Sequence, residues 1–169
     1  NVDYSLEFGL LSFTRDDIAS SIIEKEGDFG VNIRGIIEMQ NGTGSEYDNL
    51  ISGGVNVRSH MGVTYSFHHK YAIADAGSPT AEPTVLTGSH NWSSNAENNS
   101  DENTIIIHDQ TIANIYLQEF EKRWGELSAT SINSISNFKL EIYPNPSTGN
   151  VNITTSDVVN NIKIYDIEG

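Results

Sequence analysis

Residues 67–75 have the sequence FHHKYAIAD and form the most informative stretch of the chain. Apolar and polar side chains alternate roughly along it, which predicts a strand that ends before Asp75. Because residues two apart on a strand project from the same face, we expect His68 and Lys70 to point together and His69 to point to the opposite face. The strand therefore presents an imidazole and an ammonium side by side.

Strands and helices alternate along the larger part of the chain. Short apolar or β-branched runs predict buried strands, whereas apolar residues at helical spacing predict helices. The predicted strands cover residues 6–13, 31–39, 55–58, 67–74, 85–87 and 104–107. The predicted helices cover residues 14–26, 47–51 and 111–124. This alternation is typical of an α/β fold, and we expect an α/β/α sandwich around a mixed, largely parallel sheet.

Composition divides the chain into two domains. Residues 1–126 hold the alternating elements and form the larger predicted domain. Residues 127–138 are rich in Ser, Thr, Ala and Asn, which predicts a linker. Residues 139–169 place a turn before alternating strand-like runs, so we expect a small β-rich domain that is truncated. The chain does not begin with methionine, and we expect its true N-terminus to lie upstream.

Charge and cysteine content narrow the classes of protein. The chain has 23 acidic and 9 basic residues and a net charge of -14, which weighs against strong nonspecific binding of nucleic acid and against a basic patch for anionic lipid. The absence of cysteine excludes thiol catalysis, thiolate metal sites and disulfides. No run of about eighteen apolar residues is present, so no membrane-spanning segment is predicted.

Polar side chains of complementary chemistry follow one another from His68 to Glu102. Cleavage of a phosphodiester needs a nucleophile, a proton donor for the departing oxygen, and cations or fixed donors around the phosphoryl oxygens. His68 can serve as the nucleophile. Lys70, Ser89 and Asn91 supply charge and donors. Glu102 can hold the imidazole in one tautomer, as in other base–orienter pairs. A second histidine of equal standing is missing from the pattern.

These residues resemble the HKD motif of the phospholipase D superfamily. The matching positions are His68, Lys70, Asp75, Gly88, Ser89 and Asn91. The resemblance extends over residues 6–124, and the chain is most similar to single-motif members such as small bacterial endonucleases and mitochondrial cardiolipin hydrolases. It implies a reaction without metal or cofactor and a covalent phosphohistidine intermediate.

The resemblance also implies a role for each site residue. His68 is the expected nucleophile, and Glu102 is expected to hydrogen-bond its ring. Lys70 and Asn91 are expected to bind the phosphoryl oxygens, with support from Ser89. Because one motif is half a site in this family, we expect a second motif from a homodimer partner or, slightly favoured, from an upstream domain.

Asp75 and the segment after it form a separate part of the pattern. Asp75 belongs to the catalytic set of the motif, but we expect it to act mainly through structure or electrostatics. Residues 76–87 form a longer connection than the commonest version of the motif has. We expect this loop, with Pro79 and Pro83, to lie at the rim of the site.

Other histidines and aromatic residues receive simpler interpretations. A metal site made of His68, His69 and Asp75 is disfavoured, because adjacent histidines on a strand point apart. His69 is expected to pack or to lie at the surface, and no partner pattern surrounds His60. Three aromatic residues are expected in the core: Tyr65, Phe67 and Trp92.

The C-terminal segment resembles a second family. Residues 143–149 (YPNPSTG) and 164–166 (IYD) are similar to the C-terminal sorting domain of the type IX secretion system, which exports proteins of Bacteroidetes-type bacteria. The resemblance implies a secreted or cell-surface bacterial protein that interacts with this secretion machinery. The segment takes no part in the chemistry.

The expected function is that of a metal-independent phosphodiesterase of phospholipase D type. The acidic composition favours a phospholipid or a small diester over DNA. The alternatives are a nuclease acting on DNA or RNA and a non-catalytic surface module that binds phosphate. Transfer of a phosphatidyl group to an alcohol would use the same residues as hydrolysis.

Overall fold

The computed structural model describes residues 2–78, 81–128, 140–143 and 152–155. The chain divides into two compact units, residues 1–129 and 130–169. The strands of the first unit are β1 (Ser5–Leu10), β2 (Asn32–Ile37), β3 (Asn56–Ser59), β4 (Lys70–Ala74), β5 (Thr84–Gly88) and β6 (Thr104–Ile107). Its helices are α1 (Asp16–Glu26), α2 (Tyr47–Ser52), α3 (Ser94–Asn99) and α4 (Gln110–Ser128).

The six strands form one mixed sheet in the order β3-β2-β1-β4-β5-β6. Strand β2 pairs parallel with β1 and with β3. Helix α1 connects β1 to β2 and helix α2 connects β2 to β3, and each helix returns the chain to the end of the sheet where the previous strand began. The remaining three pairings, β1 with β4, β4 with β5, and β5 with β6, are antiparallel. The predicted mixed sheet is confirmed. However, we expected a largely parallel sheet, whereas most of the strand pairs are antiparallel.

Apolar residues cover both faces of the sheet, which confirms the three-layer arrangement. On one face, Phe8 and Leu10 of β1 pack with Ile22 of α1 and Leu50 of α2. On the other face, the residues of β4 and β5 pack against α4 in a cluster that includes Tyr71, Ile73, Val85, Ala113 and Phe120. Burial of these side chains removes the apolar stripe of each helix from water and fixes the sheet between the two layers.

Three strands are shorter than predicted at the end of the sheet that carries His68, and one of them, β2, ends at Ile37 instead of at residue 39. Strand β4 begins at Lys70, and the hydrogen bond of 2.9 Å that the amide of Leu11 donates to the main-chain oxygen of His69 extends the β1–β4 register by one residue pair beyond the strand. Strand β1 ends at Leu10, and Phe13 instead forms an isolated bridge with Trp92. His68 therefore lies in the segment that leads into β4 and not on the strand itself.

The connection from β4 to β5 lies at the opposite end of the sheet from Lys70. Ala74 pairs with Thr84 at one end of the hairpin, whereas Tyr71 pairs with Thr87 near the other. The described part of the connection therefore cannot line the site around His68, and the expectation of a loop at its rim is wrong. In an antiparallel hairpin the chain reverses direction at the end of the first strand. A loop that follows β4 therefore lies far from Lys70, at the start of that strand, which explains the error. Pro79 lies outside the described residues.

The remaining predictions concern the end of the first unit and the second unit. Helix α4 extends to Ser128 and so includes the first two residues of the predicted linker, while the rest of the linker lies outside the described residues. In the second unit, β7 (Leu140–Tyr143) pairs antiparallel with β8 (Asn152–Thr155). The turn at residues 144–150 is not among the described residues. No helix in the described part of the chain has the length and apolarity needed to cross a bilayer.

Candidate active site

His68 and Lys70 lie next to each other at the start of β4. The Nζ of Lys70 is 2.9 Å from the Nδ1 of His68 and 3.4 Å from its Nε2, and it also donates to the main-chain oxygen of His68 at 3.0 Å. The two side chains therefore meet as expected. However, only Lys70 belongs to the strand, and His68 reaches it from the segment before β4.

The environment of Lys70 is unusual for a lysine, because only 7% of the residue is exposed. Burial lowers the pKa of Lys70, and the nearby carboxylate of Glu102 partly opposes this effect by favouring the charged form. An ammonium can only donate hydrogen bonds, so the Nδ1 of His68 accepts from it. An anion that enters the site would supply further negative charge to compensate this partly desolvated ammonium.

A groove of about 380 Å³ runs beside this pair, and its other side comes from the ends of β5 and β6. The lining residues are His68, Lys70, Gly88, Ser89 and Asn103. The amide of Ser89 donates to the main-chain oxygen of Asn103 at 3.1 Å, and the amide of Asn103 donates to the Ser89 Oγ at 3.0 Å. These reciprocal hydrogen bonds hold the two strand ends together along the groove.

Gly88 permits this close approach of β5 and β6. Its φ of 154° is rarely adopted by residues with a side chain. A Cβ at this position would lie 2.1 Å from the main-chain oxygen of Asn103. Any side chain at Gly88 would thus force apart the two strand ends that form one wall of the groove.

Glu102 lies at this wall. Among the contacts of the described residues, none joins its carboxylate to His68. Its carboxylate instead accepts a hydrogen bond from the Ser89 Oγ. It also favours the charged form of Lys70 through its own negative charge. In this conformation Glu102 acts on the ammonium and on Ser89, and the bracing of the His68 ring that the resemblance implies stays a prediction.

Asn91 lines a different groove from the one beside His68. That second groove, of about 320 Å³, includes Arg15, His90 and Glu97. The Oδ1 of Asn91 is buried and has no hydrogen-bond partner among the described residues. After Ser89 the chain leaves the groove beside His68. It then approaches the segment after β1, where the main-chain oxygen of Trp92 accepts a hydrogen bond of 2.8 Å from the amide of Thr14. The role of Asn91 in binding a phosphoryl oxygen therefore remains a prediction.

Asp75 lies at the far end of β4 from the groove, roughly 17 Å along the strand from Lys70. Its φ is 59°, and its buried carboxylate accepts hydrogen bonds from the amides of Asp3, Tyr4 and Ser5 at 2.7–3.2 Å. Its inclusion among the catalytic residues is corrected on this geometry. Asp75 anchors the start of β1, in agreement with the structural role that was expected of it.

Half-buried Glu38 and buried His60 form a pair that the sequence pattern did not predict. The His60 Nδ1 lies 2.8 Å from the Oε2 of Glu38, and the same oxygen accepts from the amide of Phe67 at 2.9 Å. These residues follow β2 and β3, which are parallel neighbours, so both lie at the same edge of the sheet. That parallel pairing is the signal that would have identified the pair. Glu38 thus ties down the segment that carries His68.

A second cavity, of about 330 Å³, opens on the other side of His68 towards α4. The ring of His69 lies between those of Phe67 and Tyr71, with centroid separations of 4.5 and 5.5 Å. Tyr71 donates to Glu119 at 2.9 Å, which fixes this aromatic wall to α4. His69 thus has the packing role expected of it.

The three other aromatic predictions differ in outcome. Phe67 is buried, and Trp92 packs against the core with Phe8 and Phe13, so both predictions are confirmed. Tyr65 was expected in the core but is 82% exposed, because the segment before Phe67 projects from the sheet as a loop and not as part of β4.

Two protein families match the two parts of the chain. Residues 3–124 match the family described as "Cardiolipin synthase, PLD-like domain". Residues 141–169 match the family described as "Secretion system C-terminal sorting domain". Both resemblances identified in the sequence are therefore confirmed.

The chain is similar to curated proteins named mitochondrial cardiolipin hydrolase. It is 30% identical to the protein of Canis lupus familiaris over 147 residues, which cover 86% of this chain and 52% of the relative. It is 34% identical to the protein of Xenopus tropicalis over 129 residues, which cover 75% of this chain and 58% of the relative. The chain thus spans just over half the length of these relatives.

Solved structures share the fold. Nuc from Salmonella typhimurium, described as a phospholipase D family member, superposes with a TM-score of 0.60 and 25% identity over 74% of this chain and 80% of its own. NucT from Helicobacter pylori gives a TM-score of 0.63 and 23% identity over 73% of this chain and 80% of its own. These similarities confirm the fold class.

Proposed function

The chain belongs to the family of PLD-like domains and also carries a secretion-system sorting domain, and we propose that it hydrolyses phosphodiester bonds with His68 as covalent nucleophile. Members of the family act on phosphodiesters. The observation that carries the proposal is the 2.9 Å contact between the buried ammonium of Lys70 and the His68 ring at an open groove. A nucleophile and a cation for the phosphoryl oxygens thus share one site.

The proposed reaction has two steps and uses no metal ion. First, a phosphoryl oxygen of the substrate accepts the hydrogen bond that the Lys70 ammonium otherwise donates to the His68 ring. The lone pair of the ring nitrogen is then available for attack. A ring nitrogen of His68 then bonds to phosphorus as the bond to the leaving oxygen breaks, and a second histidine protonates that oxygen. Next, water attacks phosphorus, the bond between phosphorus and nitrogen breaks, and the proton of the water returns to the second histidine.

The second histidine must come from another motif of the same kind. Within the described residues, His69 packs between aromatic rings and His60 is buried against Glu38. His90 lines the second groove near Glu97, and His108 lies beside Thr84 at the opposite end of the sheet. None of the four is placed to protonate a leaving group in the groove beside His68. We propose that a homodimer partner or a further domain of a longer parent chain supplies it. In a homodimer, the two grooves would face each other across a two-fold axis.

A phospholipid is the proposed substrate class. The net charge of -14 disfavours the approach of a long polyanion such as DNA or RNA more than that of a single diester. The names of the curated relatives, which refer to hydrolysis of cardiolipin, point in the same direction. A nuclease is the alternative that the experiment below separates. The sorting domain supports export through a type IX secretion system to the cell surface or the medium.

An activity panel tests this function. The full chain, with its oligomeric state recorded, is assayed on bis-p-nitrophenyl phosphate, phosphatidylcholine, cardiolipin and single-stranded DNA, each with and without a chelator. His68→Ala serves as the inactive control and Glu82→Ala, at an exposed site at the opposite end of the sheet, as the matched active control. We expect turnover that resists the chelator and disappears in His68→Ala. Chelator-sensitive turnover, or an active His68→Ala protein, would refute the mechanism.

A further inference from the structure

The loop between β3 and β4 presents an uncharged and largely apolar tip at the end of the sheet that carries the candidate active site. Residues 61–66 read MGVTYS and contain no charged side chain, in a chain with a net charge of -14. Three of them expose apolar surface, with exposed fractions of 49% for Met61, 47% for Val63 and 82% for Tyr65. Only Phe67 separates this loop from His68.

The base of the loop is fixed, although its tip is exposed. The single Oε2 atom of Glu38 bonds to His60, just before the loop, and to the amide of Phe67, just after it. The rings of His60 and Phe67 also pack at a centroid distance of 5.1 Å. Both ends are thus held by one half-buried carboxylate, and the exposed tip projects from this base instead of folding back onto the core.

A neighbouring segment enlarges the apolar surface. The side-chain amide of Asn41 contacts the sulfur of Met61 at 3.5 Å, which places the segment after β2 against the loop. Met39 in that segment is exposed as well. We call the surface formed by Met39, Met61, Val63 and Tyr65 the apolar rim.

We propose that the apolar rim docks the protein on the surface of a zwitterionic phospholipid aggregate, an inference that rests on the proposed function. Insertion of Met61 and Val63 among acyl chains removes apolar surface from water, and no charged group of the loop must be desolvated. A tyrosine such as Tyr65 is well suited to the boundary between acyl chains and headgroups.

Charge and position select this occupant. The strongly acidic chain is repelled by anionic surfaces, so a zwitterionic surface fits better than an anionic one. A surface into which Met61 and Val63 insert also holds the end of the sheet that carries His68 close to the layer of diester phosphates, because His68 follows the loop by two residues. The two competing occupants are a second copy of the chain, which would bury the rim in a dimer, and single-stranded nucleic acid, which would stack on Tyr65.

The test compares Tyr65→Ser with Phe29→Ser. Phe29 is also fully exposed, but it lies before β2, at the end of the sheet opposite to His68. Co-sedimentation with phosphatidylcholine vesicles is measured for the full chain and both variants, together with turnover of soluble bis-p-nitrophenyl phosphate and of phosphatidylcholine vesicles. Size-exclusion chromatography and binding of single-stranded DNA are measured on the same proteins.

We expect Tyr65→Ser to bind vesicles and to hydrolyse vesicle lipid roughly tenfold less well, with turnover of the soluble diester and the elution volume unchanged. Phe29→Ser should match the unsubstituted chain. Equal vesicle binding by all three proteins overturns the inference, and so does a changed oligomeric state or a selective loss of DNA binding in Tyr65→Ser. Vesicle binding that depends on Tyr65 supports the docking surface even if the soluble diester is not cleaved, so a failure of the proposed function is recognised separately.

Discussion

The Nζ of Lys70 lies 2.9 Å from the Nδ1 of His68, although the two residues belong to different kinds of structure. Lys70 is the first residue of β4 and is buried by the sheet, whereas His68 lies in the exposed segment before it. The contact joins a fixed, partly desolvated cation to a ring that substrate can reach. This arrangement has a direct consequence for the dependence of activity on pH.

The first prediction concerns the alkaline limb of the pH profile. Binding of a phosphoryl oxygen needs the charged form of Lys70, which is present below its pKa and is lost as pH rises through it. Burial lowers this pKa, so kcat/KM should fall at a lower pH than an ordinary lysine would give. In Lys70→Arg, whose side chain stays charged, residual activity should lose this limb. An identical alkaline limb in both proteins would assign it to another group.

The second prediction separates anchoring from catalysis at Asp75. Asp75→Ala removes the acceptor for three amides at the start of β1 and places alanine at a φ of 59°, so the free energy of unfolding should fall by about 3 kcal/mol. Asp75→Asn keeps an acceptor oxygen and tolerates this φ, so its loss should be smaller. Urea unfolding measures both. The folded fraction should retain the unsubstituted kcat, whereas a collapse of kcat at unchanged stability would return Asp75 to the catalytic set.

The third prediction tests whether Glu38 positions His68. Glu38→Ala frees both ends of the loop of residues 61–66, and misplacement of the nucleophile should lower kcat roughly tenfold. Glu38→Gln retains an acceptor for the Phe67 amide and should recover most of this loss. Glu82→Ala disrupts an exposed carboxylate–histidine pair with His108 and serves as control. If Glu38→Ala keeps its full kcat while losing stability, the pair has only a structural role.

The fourth prediction uses two glycines in different settings. Gly88→Ala should close or distort the groove, because its Cβ would meet the Asn103 main-chain oxygen at 2.1 Å, and both activity and stability should fall. Gly125→Ala in α4 meets nothing within 4 Å and should raise the free energy of unfolding by about 0.5–1 kcal/mol. Thermal unfolding and turnover of the soluble diester measure both variants. A fully active Gly88→Ala protein would mean that the described wall is not needed.

The sequence predicts the larger features of this protein because they depend on local pattern. Alternation and helical spacing identify the α/β layers, and the order of the motif residues brings His68, Lys70, Ser89 and Glu102 to one end of the sheet. What escapes the sequence depends on pairing between strands. The position of the β4–β5 loop and the proximity of Glu38 to His60 both follow from strand direction and register, which local patterns do not specify.

Alternation also misplaces the start of β4. It predicts a strand from Phe67, whereas β4 begins at Lys70, and the bond from the Leu11 amide to the main-chain oxygen of His69 extends the β1–β4 register by only one further residue pair. Tyr65 lies before both of these boundaries, on the exposed loop that follows β3. A predicted core residue thereby becomes part of the apolar rim.

Trapping the covalent intermediate tests the central claim most directly. Bis-p-nitrophenyl phosphate has a good leaving group, so the first step should be fast and the adduct should accumulate before water attacks. The reaction is quenched within the first turnover in alkali, where a bond between phosphorus and a histidine nitrogen survives, and the digested protein is analysed by mass spectrometry. We predict a p-nitrophenyl phosphoryl group on His68, absent from His68→Ala. The same group on Ser89 or any other side chain would contradict the account.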